Sequence, residues 1–241
     1  MKEEYIKWYT PHLSKDFEML SFGHAGVPVI AFATSQGQYY QNKDFGLVES
    51  ARWFIENGLV KIYCPDSFDA QSWYNRGIHP ADRVRSHLAF ERVIINEVVG
   101  RAQHETGHHK VIFAGASFGG FHAINHAFKF PHLTREVYSM SGAYDMSSFL
   151  DGYSDNETYF NSPMAFLQGM QEGDALHNIR QMKVVLGVPE HDATKEDNFK
   201  LSEIMNSKHI NHWFDFRHGA NHDWPIWCEM FPLYLSKINH F

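Results

Sequence analysis

The sequence predicts an α/β protein with a mostly parallel central sheet, an antiparallel hairpin at its N-terminal end, and helices on both faces. Three observations lead there. Apolar runs of strand length recur along the chain: VPVIAFA (27–33), VKIYCPD (60–66), HKVIFAGAS (109–117), EVYSMSG (136–142) and KVVLGVP (183–189). Continuous β-branched runs of this kind suit strands buried on both faces, as in parallel sheets. Segments of helical spacing lie between them, and strand–helix alternation implies parallel crossover connections. The beginning of the chain differs: EEYIKWYTP and KDFEMLSFG (3–11 and 15–23) alternate with period two around a turn, the pattern of an antiparallel pair.

The remaining elements follow in order. A helix is expected from about 44 to 57, and a longer one from about 80 to 103 with Pro80 in its first turn. After Ser117, Phe118, Phe121, Ile124 and Phe128 recur at helical spacing, and that helix should stop before Pro131. Residues 145–181 read as irregular, and insertions of that length are usually lids or binding surfaces. A helix near 195–208, the strand HWFDFRHG (212–219) and a last helix from about 225 complete the alternation. No repeat, low-complexity tract or linker interrupts it, so one domain over 1–241 is expected, with a lid-like insertion at about 145–181.

In 241 residues, 44% apolar and 15% aromatic content is ample for a sizeable core. A net charge of -7 without a basic patch excludes nucleic acid as the partner, because such binding draws its affinity from Lys and Arg releasing counterions. No stretch approaches the ~18 apolar residues of a membrane span, and MKEEYIKWYTPHL lacks the apolar core of a signal peptide. The chain is expected to be soluble and cytoplasmic, without a membrane partner. Cys64 and Cys228 are expected as thiols in a reducing compartment rather than a disulfide. The composition is compatible with a homo-oligomer.

The stretch VIFAGASFGG (111–120) crowds small residues around Ser117 directly after an apolar run. A serine on a sharp strand-to-helix turn exposes its Oγ only if the residues two positions away on either side are glycine-like, and Gly115 and Gly119 hold those places. This GxSxG pattern makes Ser117 a candidate nucleophile, with the Phe118 N–H at the new helix's N-terminus available to an oxyanion. The bland reading is a glycine-rich turn that lets helix and strand pack closely. A base and an acid should then follow in the chain. His222, in RHGANHDWP between the last strand and the last helix, is the candidate base, with His218 its competitor; Asp223 and Pro225 read as the helix start that would fix it. The acid should come from EHDATKEDN, where Glu190, Asp192 and Asp197 are all available; Asp197 also fits a charge complementing a helix dipole.

HETGH (104–108) matches the zinc-binding HExxH pattern, which works only where both histidines share one face of a continuous helix. Gly107 inside it, with a buried strand starting soon after, reads instead as a helix C-cap, so no metal is assigned.

The segments FGHAG, FATSQGQYY, DSFDAQSWYNRGIHPADRV, GASFGGFHAINHAFKFP, SGAYDMSSFLDGYSDNETYFNSP, DATKEDNFKLS and HDWPIW together resemble the Putative esterase group of the α/β-hydrolase fold, and within it small bacterial esterase/lipase-superfamily proteins. That resemblance spans almost the whole chain. It implies a serine carboxylic ester hydrolase without a cofactor, acting on small acyl or aryl esters, with Ser117 as nucleophile, His222 as base and Asp192 as acid. GVPEHD departs from the commoner GxxD spacing and keeps Glu190 in play. The resemblance places the second oxyanion donor in TSQG, at the backbone N–H of Gln36. Trp73, Tyr74, Tyr153, Tyr159, Phe160 and Trp224 are the expected wall of the substrate pocket. Acyl transfer to an alcohol through the same triad, and a binding protein that keeps the fold without turnover, are the alternatives.

Overall fold

The computed structural model describes residues 1–238. Its strands are β1 (Glu3–Thr10), β2 (Lys15–Phe22), β3 (Val27–Phe32), β4 (Val60–Pro65), β5 (Val111–Ala116), β6 (Thr134–Met140), β7 (Lys183–His191) and β8 (His212–Asn221). They form an eight-stranded sheet in the order β1-β2-β4-β3-β5-β6-β7-β8. β1 and β2 are antiparallel, as are β2 and β4, and the other neighbouring pairs are parallel. This is the expected fold class, with the α/β-hydrolase strand arrangement and its N-terminal hairpin.

β3, β4 and β5 are buried along their whole lengths, which is why their sequences carry no polar alternation. Successive side chains still take opposite faces. Ile30, Phe32 and Phe113 enter one core, and Val29, Ala31, Ile112 and Ala114 enter the other. The first core is closed by α1 (Pro80–Arg92), α2 (Phe118–Lys129) and α3 (Lys195–Ser207), through Phe90, Phe121 and Leu201. The second is closed by α4 (Trp224–Leu235) and by residues of the 41–56 segment, through Met230, Tyr234, Val48 and Ile55. Full burial of side chains such as Phe113 and Phe121 contributes roughly 2–3 kcal/mol each, which anchors β5 to α2 on both sides of Ser117.

Two segments depart from expectation, those at 41–56 and 145–181, whereas the long helix from Pro80 and its cap at Gly107 stand as expected. The helix expected at 44–57 is three short turns, Gln41–Asp44, Leu47–Ser50 and Arg52–Glu56. Gly46, at φ 85°, breaks it, since a left-handed residue cannot continue a right-handed helix. The long helix runs on past α1 through a π-turn segment, Val93–Val99, to Thr106, where Gly107 at φ 73° caps it. His104 therefore lies in the last turn and His108 beyond the cap, so the two do not share a helical face. The 145–181 segment holds four short helices, Ser147–Leu150, Asn156–Tyr159, Pro163–Gly169 and Asp174–Gln181. Phe166, Leu167, Leu176 and Ile179 are buried in the first core. No helix of the described residues is long and apolar enough to cross a membrane. Cys64 and Cys228 are free, the first buried and the second half-buried.

Candidate active site

The carboxyl ends of β5, β7 and β8 share one edge of the sheet, where ligands of such sheets gather. Ser117 follows β5 with φ 56° and ψ -123°, a conformation that costs a non-glycine residue about 1–2 kcal/mol. The glycines around it are required by contact. A Cβ on Gly115 would lie 2.3 Å from the Gly119 carbonyl oxygen, and one on Gly119 would lie 2.5 Å from that of Ala33. The turn therefore forms only because β5, α2 and the end of β3 touch through bare backbone. Ser117 N–H donates to Met140 O at 2.9 Å, fixing the turn to β6. The Phe118 N–H, first in α2, has no hydrogen-bond partner among the described residues.

His222 occupies the connection between β8 and α4. Asp223 caps α4 by accepting from Trp224 N–H at 2.7 Å, and Pro225 sits in the first turn, as the sequence implies. His222 Nδ1 is 2.9 Å from Asp192 Oδ1. That same oxygen accepts from Thr194 N–H at 2.7 Å and Thr194 Oγ at 2.8 Å. Burial alone would raise the Asp192 carboxyl, but the donors around it, His222 first and then Ser141 and Thr194, outweigh burial and hold it down at about 2. Asp192 is consequently an anion at neutral pH, able to fix one imidazole tautomer. The His222 ring stands edge-on to Trp227, with centroids 5.0 Å apart. Trp227 in turn donates its indole N–H to Ser141 Oγ at 2.8 Å. Ser141 directly follows Met140, the residue that holds the Ser117 amide. His222 and Asp192 are thus in direct contact, Ser117 is tied through its amide to Met140 at the end of β6, and the Ser117 hydroxyl makes no hydrogen bond among the described residues.

The competing carboxylates are otherwise engaged. Glu190 accepts from Gly219 N–H at 2.8 Å and lies 3.5 Å from His218 Nδ1, so the second carboxylate meets the second histidine. Asp197 accepts the backbone N–H groups of Tyr144 and Asp145 at 3.0 and 2.8 Å, and Asn198 donates to Gly142 O at 2.8 Å. The pair clamps the turn after β6, a role beyond the helix-dipole charge expected of Asp197.

The turn after β3 corrects the expected oxyanion donor. Gln36 N–H points to the buried Asp69 carboxylate, 3.0 Å away, and is taken. Thr34 N–H goes to Gln41 Oε1 and Gly37 N–H to Thr34 O, both at 2.9 Å. The Ser35 N–H is the amide of 34–37 without a partner among the described residues. Ser35 Oγ accepts from Tyr74 OH at 2.8 Å, and the Tyr74 ring meets Phe118 edge-on at 5.2 Å.

The aromatic residues divide. Tyr74 is beside Phe118, with Phe149 against both. Trp224 stacks on Phe45 at 4.8 Å and meets Trp227 at 5.2 Å, on the His222 side. Trp73, expected in the pocket wall, is fully buried against His87 and Phe121. Tyr159 and Phe160, expected there too, line a groove of about 420 Å³ with Phe128, Phe130 and Met170. That groove lies at the far end of α2 from Ser117, roughly 17 Å along a helix rising 1.5 Å per residue. Tyr153 bonds Asp155 and packs on His79. Sequence reasoning missed Ser141, Thr194, Asp69 and His122; the signal for the last two was a polar residue placed where a core is expected, in DSFDAQSWYN and GGFHAINH.

Residues 62–237 match the family described as Putative esterase. Comparison with curated proteins returned no matching sequence. Among solved structures the chain is similar to a ferulic acid esterase, with TM-score 0.77 and 15% identity over 97% of this chain and 96% of that one. It is also similar to the fluorophosphonate-binding serine hydrolase FphF of Staphylococcus aureus, with TM-score 0.77 and 12% identity over 98% and 97%. A third, the S-formylglutathione hydrolase FrmB of Staphylococcus aureus, gives TM-score 0.70 and 12% identity over 98% and 96%.

Proposed function

The chain belongs to the Putative esterase family and is a carboxylic ester hydrolase, and from that premise we propose that it cleaves small acyl or aryl esters through Ser117, His222 and Asp192. The Asp192–His222 hydrogen bond carries the reading. With Nδ1–H committed to the carboxylate, the imidazole is left with its lone pair on Nε2, the atom that must take a proton from a serine.

In the first step His222 Nε2 accepts the Ser117 proton while Oγ bonds to the ester carbonyl carbon. The carbonyl oxygen becomes an oxyanion and is stabilised by the unpartnered amides of Phe118 and Ser35. Collapse of that intermediate breaks the bond to the alcohol oxygen, which leaves with the proton from His222. Water, deprotonated by the same imidazole, then releases the acid and restores Ser117. The backbone of Ser117, at φ 56° and ψ -123° and with no side-chain capping bond to the helix, leaves its Oγ available to a substrate on this reading. Tyr74 on one side and Trp224 on the other supply apolar walls that suit a compact acyl or aryl group.

The test is covalent. A fluorophosphonate probe is expected to add one label, on the peptide carrying Ser117, at a rate that falls when His222 is replaced by Ala. A folded protein that stays unlabelled overturns the reading.

A further inference from the structure

Asp69 and His122 are each about 1% exposed, and both lie outside the proposed triad. Asp69 Oδ1 is 2.8 Å from His122 Nε2. Its other oxygen, Oδ2, accepts from Gln36 N–H at 3.0 Å. One carboxylate therefore joins two elements that are far apart in the chain: the turn after β3 and helix α2.

Those two elements carry the amides assigned to the oxyanion. Ser35 precedes Gln36, and Phe118 lies four residues before His122 on α2, one turn away on the same side. The Phe118 and His122 rings meet at 5.1 Å and 86°. Gln36 needs holding, since it sits at φ 54° in an exposed turn. The short helical turn that bears Asp69 grips the other side as well: Asp69 O accepts from Tyr74 N–H at 2.9 Å, and Tyr74 OH reaches Ser35 Oγ at 2.8 Å. The Ser35–Gln36 turn is thus pinned at one residue by a side chain and at the next by a carboxylate.

We propose that Asp69, held by His122, is a positioning residue that sets the separation between the Ser35 and Phe118 amides. This rests on the oxyanion assignment made above. The other ring nitrogen of His122, Nδ1, is buried and has no partner among the described residues, so the contact with Asp69 is the hydrogen bond that holds the ring. A displaced amide binds the ester ground state as before and the tetrahedral state less well, so the effect falls on kcat. Misplacement of about 1 Å can cost on the order of 10²-fold.

Asp69→Asn keeps the shape but presents an amide NH₂ to one of its two donors. His122→Leu removes the donor, whereas His122→Gln can restore an N–H near the Nε2 position. Asp69→Asn and His122→Leu are expected to lower kcat for p-nitrophenyl acetate by about 10- to 100-fold with KM within about threefold, and His122→Gln to stay near wild type. Phenylboronic acid, which forms a tetrahedral adduct on a nucleophilic serine, should bind Asp69→Asn more weakly by a similar factor. Retention of kcat in Asp69→Asn, or a loss of kcat with boronate affinity unchanged, overturns the proposal. Should Asp69→Asn fail to fold, equal kcat in His122→Leu and His122→Gln overturns it. Fluorophosphonate labelling of wild type separates the outcomes: if Ser117 labels while these variants behave as wild type, the triad stands and the positioning role falls.

Discussion

His222 Nδ1 and Asp192 Oδ1 stand 2.9 Å apart, across the ends of the neighbouring parallel strands β7 and β8. Thirty positions of chain separate them, so sheet topology, not local sequence, makes the pair. Asp192→Asn would let the imidazole settle in the wrong tautomer, and kcat is expected to fall on the order of 10³- to 10⁴-fold. Glu190→Gln, which alters only the contacts with Gly219 and His218, is expected to stay within about threefold of wild type, because interactions of exposed charges are weak. Steady-state kinetics on p-nitrophenyl acetate compares the two.

The same contact should appear in acid stability. The folded carboxyl of Asp192 is held at about 2, below the ~3.9 of an unfolded aspartate. The unfolded state therefore binds the proton first as pH falls. The contribution, about 2 kcal/mol, is complete above roughly pH 4 and disappears as pH drops toward 2. Melting temperatures from pH 6 to pH 2 should fall more steeply in wild type than in Asp192→Asn. Parallel curves would contradict it.

Two glycines should respond differently. Gly119→Ala forces a Cβ to 2.5 Å from Ala33 O, so the elbow and the turn after β3 must part. The expected loss is about 3 kcal/mol, or roughly 6–12 °C in Tm, with activity lost as well. Gly107→Ala meets no atom within 4 Å and suffers only from its φ of 73°, about 1 kcal/mol, with activity retained.

The elements along the chain were largely legible because each strand is a buried apolar run, and a backbone close approach at the elbow leaves glycine as its written trace. What was not legible depended on single-residue offsets. Trp73 and Tyr74 are adjacent aromatics, but one turns into the core and the other toward Ser35; composition cannot say which. Ser35 and Gln36 are neighbours in one turn, and which amide is free depends on where the distant Asp69 sits. Glu190 and Asp192 were separated by a register irregularity at Pro189/His191, which directs Glu190 to Gly219 and leaves Asp192 for His222. Tyr159 and Phe160 were misplaced because the 145–181 segment runs down α2: its first turn, through Phe149, touches Phe118, and its later helices pack at the far end.

That division of the aromatics gives its own kinetic contrast. On the proposed reading, in which Tyr74 beside Phe118 and Trp224 beside Trp227 form the pocket walls, Tyr74→Ala and Trp224→Ala are expected to raise KM for aryl esters severalfold. Phe160→Ala should leave kcat and KM unchanged across a panel of acyl sizes. A rise in KM for Phe160→Ala would place the acyl group in the distal groove.

The central claim is that the strained residue between β5 and α2 is the nucleophile, and Ser117→Ala tests it most directly. Hydrolysis of p-nitrophenyl acetate by the folded variant is expected to fall on the order of 10⁴-fold or more, with Tm unchanged or raised by relief of nothing larger than one side chain. Turnover close to wild type in that variant, at full occupancy of the folded state, would contradict the account.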